Sequence, residues 1–408
     1  VADLDLLDIA GESGPLWQHG RAGFAGRGTA TTITVPPGDP TEAARAVHDA
    51  LDAIEVDDNV GLPGCGPIAL GALPFDPMAA GELVVPEVIV RRAEDGTGWI
   101  TTVTRVDAGS TPPTLDDLLQ MVSPGGRGHG ATIDGPTRFT VTTPRPASDW
   151  CAAVQVVRDE LRSGGARKVV LARELVIETD RPVRRSEVLD QLRRSYPTCM
   201  VFADGGFVGA SPELLVARTD DVVRSHPMAG TAPRSSDPTT DARLAADLLA
   251  SAKDQVEHRH TIDMVHDTLL PWCSYLDEEA EPSIVAMANV QHLATLVEGR
   301  LSTPPASVIE LMRALHPTPA VNGSPRSDAL ELIRRHEGID RGRYAGAVGW
   351  VDRHGNGAWA VGIRSAEIQG TRARLFAGVG VVADSDPAAE LAETRAKFQA
   401  LLGAIIRP

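Results

Sequence analysis

Strand-like and helix-like segments are mixed along this chain without a regular strand–helix–strand beat. Hairpin signals such as His354-Gly355-Asn356-Gly357 separate neighbouring strand runs, and two long helical stretches stand apart from them. Together these observations predict an α+β fold with large, mainly antiparallel sheets.

The elements follow in order. Ala30 to Val35 and Glu82 to Val90 are rich in β-branched residues and read as strands, and Thr41 to Ile54 reads as a helix. From Asp107 to Pro146 the chain is rich in Gly, Pro, Ser and Thr, including Ser123-Pro124-Gly125-Gly126, which reads as surface loop. That stretch divides a strand-rich portion, 1–145, from a denser portion, 146–408, the two expected to form one compact unit. Beyond it, strands are predicted at Lys168 to Ile177, Val201 to Gly209, Leu214 to Ala217, Ala345 to Val351 and Trp359 to Ile363. Helices are predicted over Thr239 to Leu270 and Pro387 to Ile406; the second opens on Ser385 and Asp386, with Pro387 suited to the first turn.

The bulk numbers narrow the partners. The chain has 408 residues, 42% of them apolar, and a formal net charge of -16. An acidic protein without clustered Lys and Arg is not built for a phosphate backbone, so nucleic acid is excluded as an expected partner. Cys65, Cys151, Cys199 and Cys273 lie far apart and form no CxxC pair, which points to reduced thiols. Val1-Ala2-Asp3-Leu4-Asp5 lacks the basic, apolar pattern of a signal peptide, and no run approaches the roughly 18 apolar residues of a membrane helix. A cytoplasmic protein with no membrane partner is the expectation.

Several constellations could carry chemistry. Asp254 and Glu257, three apart, share a helix face; Glu390 and Glu393 repeat the spacing, with Lys397 on the same side. Two such pairs could hold magnesium, which takes few protein oxygens. Spacing alone favours solvated faces with helical ion pairs such as Glu393 to Lys397. Lys168, among buried strand residues, could act as a base, and Glu213, after Ser211-Pro212, as an acid. Met228-Ala229-Gly230-Thr231 and Phe376-Ala377-Gly378-Val379-Gly380 read as Gly-rich turns whose N–H groups could approach an anion. Arg364 could clamp a carboxylate with a two-pronged hydrogen bond. Each is also compatible with ordinary structural roles when taken singly.

In order, these fragments resemble the chorismate-utilising enzymes, from about Asp149 to Leu402. The markers are Lys168-Val169-Val170-Leu171, Ala210-Ser211-Pro212-Glu213, Ala229-Gly230-Thr231, Lys253-Asp254-Gln255-Val256-Glu257-His258, Gln291-His292-Leu293, His316-Pro317-Thr318-Pro319 and Glu390-Leu391-Ala392-Glu393-Thr394. The resemblance implies a layered α+β sandwich of two stacked sheets with helices outside. It implies Lys168 as the base that activates water and Glu213 as the acid that protonates a departing hydroxyl. Glu257 and Glu393 match magnesium ligands, with Asp254 and Glu390 reaching the ion through water. Gly230, Thr231, Tyr344, Arg364, Gly378 and Lys397 match positions that hold the substrate carboxylates, and His292 matches a pocket histidine.

The branch can also be read. Aminodeoxychorismate synthases carry a nucleophilic lysine where this chain has Ala229, which cannot form that covalent intermediate. Anthranilate synthases generally have glutamine in place of Lys168; ammonia needs no deprotonation, whereas water does. Gly355-Asn356-Gly357-Ala358-Trp359, Val348-Gly349-Trp350 and Phe376 resemble the isochorismate synthases more than the salicylate synthases, which remain the alternative. Ser324, where some relatives carry Phe, departs from the pattern. The implied partner is chorismate alone, with magnesium, no amidotransferase subunit and a monomeric chain. The product could serve menaquinone, a catecholate siderophore or a salicylate-derived compound.

Overall fold

Along Val297–Leu301 buried and exposed residues alternate one by one, as they must in a strand with one face on a core. Ile68–Ala72, in contrast, is buried throughout and lies deep inside a sheet. The computed structural model describes residues 4–58, 60–105, 113–122, 135–288 and 290–406. Every strand pairing among them is antiparallel.

Two large sheets dominate. The first has 11 strands among the described residues and runs from Gly323–Ser324 through Lys168–Thr179, Arg372–Val381 and Ser365–Gln369 to Phe207–Ser211 and Met200–Asp204. It continues into Leu16–His19, Ala22–Arg27, Val88–Arg92 and Gly98–Thr102. The second has nine strands, from Cys273–Glu278 at one edge to Thr31–Val35 at the other. Strands from the first hundred residues extend both: Leu16–His19 pairs with Met200–Asp204, and Ile68–Ala72 with Ala347–Asp352.

The alternation of side chains shows the layering. Trp17, Phe24 and Phe202 on the first sheet share a core with Ile33, Ile68 and Leu215 of the second. Their strand neighbours Leu16, Ala25 and Val201 point to the other face, where Leu189, Phe398 and Leu401 from helices cover them. This is the expected α+β sandwich. A smaller sheet of Met228–Pro233, Val290–Ala294 and Ser283–Ala286 sits apart with its own cluster around Leu248 and Leu293.

The structure corrects several sequence readings. Glu82 to Val90 is two strands, Gly81–Val85 and Val88–Arg92, which belong to different sheets; Pro86 lacks the N–H needed to continue one ladder. Val201 to Gly209 folds back at Gly205, whose φ of 54° makes the hairpin turn. The long helix divides into Pro238–Ala250 and Ala252–Leu269. Ser251 between them is extended, and its side chain accepts the N–H of Asp254, so it caps the second helix. The Gly-rich loop stretch falls largely outside the described residues, but Leu115–Val122 within it is a helix and Phe139–Thr142 a strand. The helix Pro387–Ile406 forms as expected, and the four cysteines are unpaired. Among the described residues no helix is long and apolar enough to cross a membrane.

Candidate active site

The two segments read as Gly-rich turns are strands, and that changes what their glycines do. Gly378 and Gly380 lie within Arg372–Val381, paired with Ala172 and Val170 of the neighbouring strand. A Cβ on Gly380 would stand 2.5 Å from Cε of Lys168, and one on Gly378 would stand 3.0 Å from the Tyr344 hydroxyl. These glycines clear room for a lysine and a phenol. Gly230 sits in Met228–Pro233 at a shift of register between Ala229 and Thr231, with a φ of 77° that favours glycine.

One cavity gathers the expected residues. Lys168 and Glu213 line it together with Glu257, Glu393 and Lys397. Gly230, Thr231, His292, Tyr344, Arg364 and Gly378 complete its polar lining. Asp254 and Glu390 do not line it. Asp254 is engaged in capping Ala252–Leu269, bonded to the Ser251 hydroxyl, and a Cβ on Gly230 would stand 3.2 Å from its Cβ. Glu390 lies one helical turn before Glu393.

The charges are arranged unevenly. Lys168 Nζ lies 2.6 Å from Oε1 of Glu257. Burial pushes the Glu257 carboxyl up, but the charge and hydrogen bond of Lys168 outweigh it and hold the group below its usual range. Burial pushes the Glu213 carboxyl up to about 8 against the opposing charge of Lys168, so this acid keeps its proton at neutral pH. Lys397 Nζ donates to the Gly378 carbonyl at 2.8 Å and meets Glu393 Oε1 at 2.8 Å. The helical ion pair read from spacing thus exists, at the cavity wall, with Lys397 half-buried and Glu393 still partly in solvent.

Arg364 is buried and makes no ion pair with a carboxylate among the described residues. Burial lowers its pKa, and a φ of 51° places its backbone in the left-handed region, a strain of roughly 1–3 kcal/mol that clusters at functional positions. Its guanidinium donates to Nε2 of His292 at 3.2 Å. Because Arg364 can only donate, Nε2 is the acceptor, and the ring proton sits on Nδ1, 3.1 Å from the Gly230 carbonyl and 2.9 Å from Thr231 Oγ1. Burial, with the nearby Arg364 and Lys397, drives His292 down to about 3, so it stays neutral. A desolvated guanidinium aimed at a neutral ring is a site for a carboxylate anion. Tyr344, pushed up to about 12 by burial, stacks on Phe376 at 5.0 Å and offers its hydroxyl as a neutral donor.

The donor set also suits a hard cation. Burial raises Glu390, and the neighbouring Glu393 adds to the effect, as crowded carboxylates do before a cation neutralises them. No group of three or more His, Cys, Asp or Glu forms a cage among the described residues. Magnesium fits such a set, because it takes one or two protein carboxylates and fills its remaining positions with water and substrate oxygens.

Sequence reasoning missed the apolar wall: Val170, Met228, Ala320, Val321 and Ile363 also line the cavity. Val170 carried a signal, being two residues from Lys168 on the same strand face, and Met228 stands in the segment of Gly230 and Thr231.

The comparisons with known proteins agree with this geometry. The chain is 37% identical over 350 residues to isochorismate synthase DhbC of Bacillus subtilis, covering 83% of this chain and 81% of that protein. It is 33% identical over 342 residues to isochorismate synthase EntC of Escherichia coli, covering 82% and 80%. The solved structure of MenF, the menaquinone-specific isochorismate synthase from Escherichia coli, superposes with a TM-score of 0.80 at 25% identity, covering 99% of this chain and 92% of that one. The chorismate binding enzyme family matches residues 12–406, and this chain belongs to it.

Proposed function

We propose that this chain is a magnesium-dependent isochorismate synthase, which adds water to chorismate at C2 and expels the hydroxyl at C4. The observation that carries the reading is Glu213. A carboxyl held protonated at neutral pH shares one cavity with a lysine, the acid and base that exchanging one hydroxyl for another requires. Ala229 leaves no nucleophile at the position where the covalent, amine-type route carries its lysine.

The residues divide the work. Arg364, with Thr231, Lys397 and the backbone at Gly230 and Gly378, binds the two substrate carboxylates and orients the ring. Lys168, acting as the neutral amine, accepts a proton from water as the water oxygen bonds to C2. The ring double bond shifts, the C4–O bond breaks, and Glu213 gives its proton to the departing hydroxyl. One water enters and one leaves. Glu257 and Glu393 would hold magnesium, with Asp254 and Glu390 supporting it through water, and the ion would neutralise carboxylate charge when bound. The chain acts on chorismate without an amidotransferase, as a monomer in the cytoplasm, with portions 1–145 and 146–408 working as one unit.

The test is chromatography of chorismate incubated with the protein and magnesium, without ammonia or glutamine. The reading expects a mixture of chorismate and isochorismate, reached from either side, since the two isomers differ only in the placement of one hydroxyl and one ring double bond. Stoichiometric pyruvate and salicylate at neutral pH would assign the chain to the salicylate synthases instead.

A further inference from the structure

One residue behind the cavity, a buried ion pair joins three of the segments that line it. Arg341 donates from Nε to Glu337 Oε1 at 2.6 Å and from one terminal nitrogen to Glu337 Oε2 at 2.6 Å. Its remaining bonds go to backbone carbonyls, Val321 at 2.9 Å and Val170 at 2.8 Å. Glu337 Oε2 accepts the N–H of Ala172 at 2.7 Å. Val170 and Val321 both line the cavity, and Val170 is two residues from Lys168 on the same strand face. The Arg341 carbonyl accepts the N–H of Tyr344, and the guanidinium lies 6.0 Å from that ring and 4.1 Å from Phe75.

A buried ion pair generally adds little net stability over an apolar pair of similar volume. What this one does supply is geometry. A planar, two-pronged guanidinium fixed on a carboxylate sets the spacing of the two carbonyls it bridges. We propose that Glu337 and Arg341 are positioning residues for the reaction: they fix the strand carrying Lys168 against the Val321 wall, and so fix where the base stands over the ring. Neither touches the substrate. The proposal rests on the reading of Lys168 as the base.

The test is steady-state kinetics on Arg341→Lys, with Glu337→Gln as a second variant should the first not fold. Both are measured at least about 10 °C below their own melting midpoints. Lysine keeps the charge but cannot bridge both carbonyls. The expected result is a kcat lower by about tenfold or more, the scale of a sub-ångström misplacement, with KM for chorismate within about threefold because Arg364 is untouched. In a Lys168→Ala background the same substitution should change the residual rate by less than about threefold, since the group it positions is gone. A parental kcat, a loss confined to KM, or an undiminished loss in the Lys168→Ala background would each overturn the proposal. The Lys168→Ala single variant separates the two claims. If it keeps parental kcat, the base assignment fails; if it is inactive while Arg341→Lys is parental, only the positioning role fails.

Discussion

Lys168 Nζ donates to Oε1 of Glu257 at 2.6 Å, so one carboxylate proposed to hold magnesium also engages the proposed base. Removing it disturbs both functions. Glu257→Gln should lower kcat by at least about a hundredfold, the worth of general acid–base help, and added magnesium should not restore it. Chelation with EDTA should stop the parent enzyme reversibly. Full activity after exhaustive chelation would remove the metal from the account.

Glu213 predicts that activity and stability both decline as pH rises. As the acid it must be protonated, so kcat should fall as pH rises through about 8. Its folded pKa is raised above the ordinary 4.5, so its contribution to stability is complete below 4.5 and is lost as pH rises toward 8. Glu213→Gln does not titrate. It should therefore gain stability relative to the parent across that window, on the order of 3 kcal/mol at pH 7, while losing about a hundredfold or more in kcat. Denaturant titrations of both proteins at pH 5 and pH 8 check the stability arm. An unchanged difference between the two pH values would show that Glu213 is not held protonated.

Gly380 offers a substitution that should spare the fold. A Cβ there meets Lys168 Cε at 2.5 Å, the far end of a flexible side chain, so the lysine gives way rather than the sheet. Gly380→Ala should cost about tenfold or more in kcat through a misplaced base, with the melting midpoint within about 3 °C. A parental kcat would mean that the position of Lys168 does not matter.

Arg364→Lys keeps the charge and loses the fork. KM for chorismate should rise at least about tenfold, the usual advantage of a two-pronged bond to a carboxylate. A KM within about twofold of the parent would place the substrate carboxylate elsewhere.

Much of this site could be read from the sequence, and the omissions have physical causes. Lys168, Glu213, Glu257 and Arg364 stand in ordered motifs with demanding chemistry, and the cavity brings them together. The glycines of the Phe376 to Gly380 segment read as a turn because Gly is the common turn residue; here each one makes space for a side chain that arrives from another strand or loop. Ser251 resembled an ordinary helical position, and only its cap on Asp254 shows where one helix ends and the next begins. Pro86 could have been used to divide Glu82 to Val90, since Pro interrupts a ladder. Glu337 and Arg341, four residues apart, belong to no motif that the sequence singles out. Nothing local indicates that Val170 and Val321 will bury them.

The central claim is that Lys168 and Glu213 exchange one hydroxyl for another by adding water at C2. Its most direct measurement is mass spectrometry of isochorismate formed from chorismate in water enriched in heavy oxygen, quenched before the reverse reaction scrambles the label. The account predicts one heavy oxygen per isochorismate, at the C2 hydroxyl. Unlabelled isochorismate would mean that the C4 hydroxyl migrates within the substrate, and would contradict it.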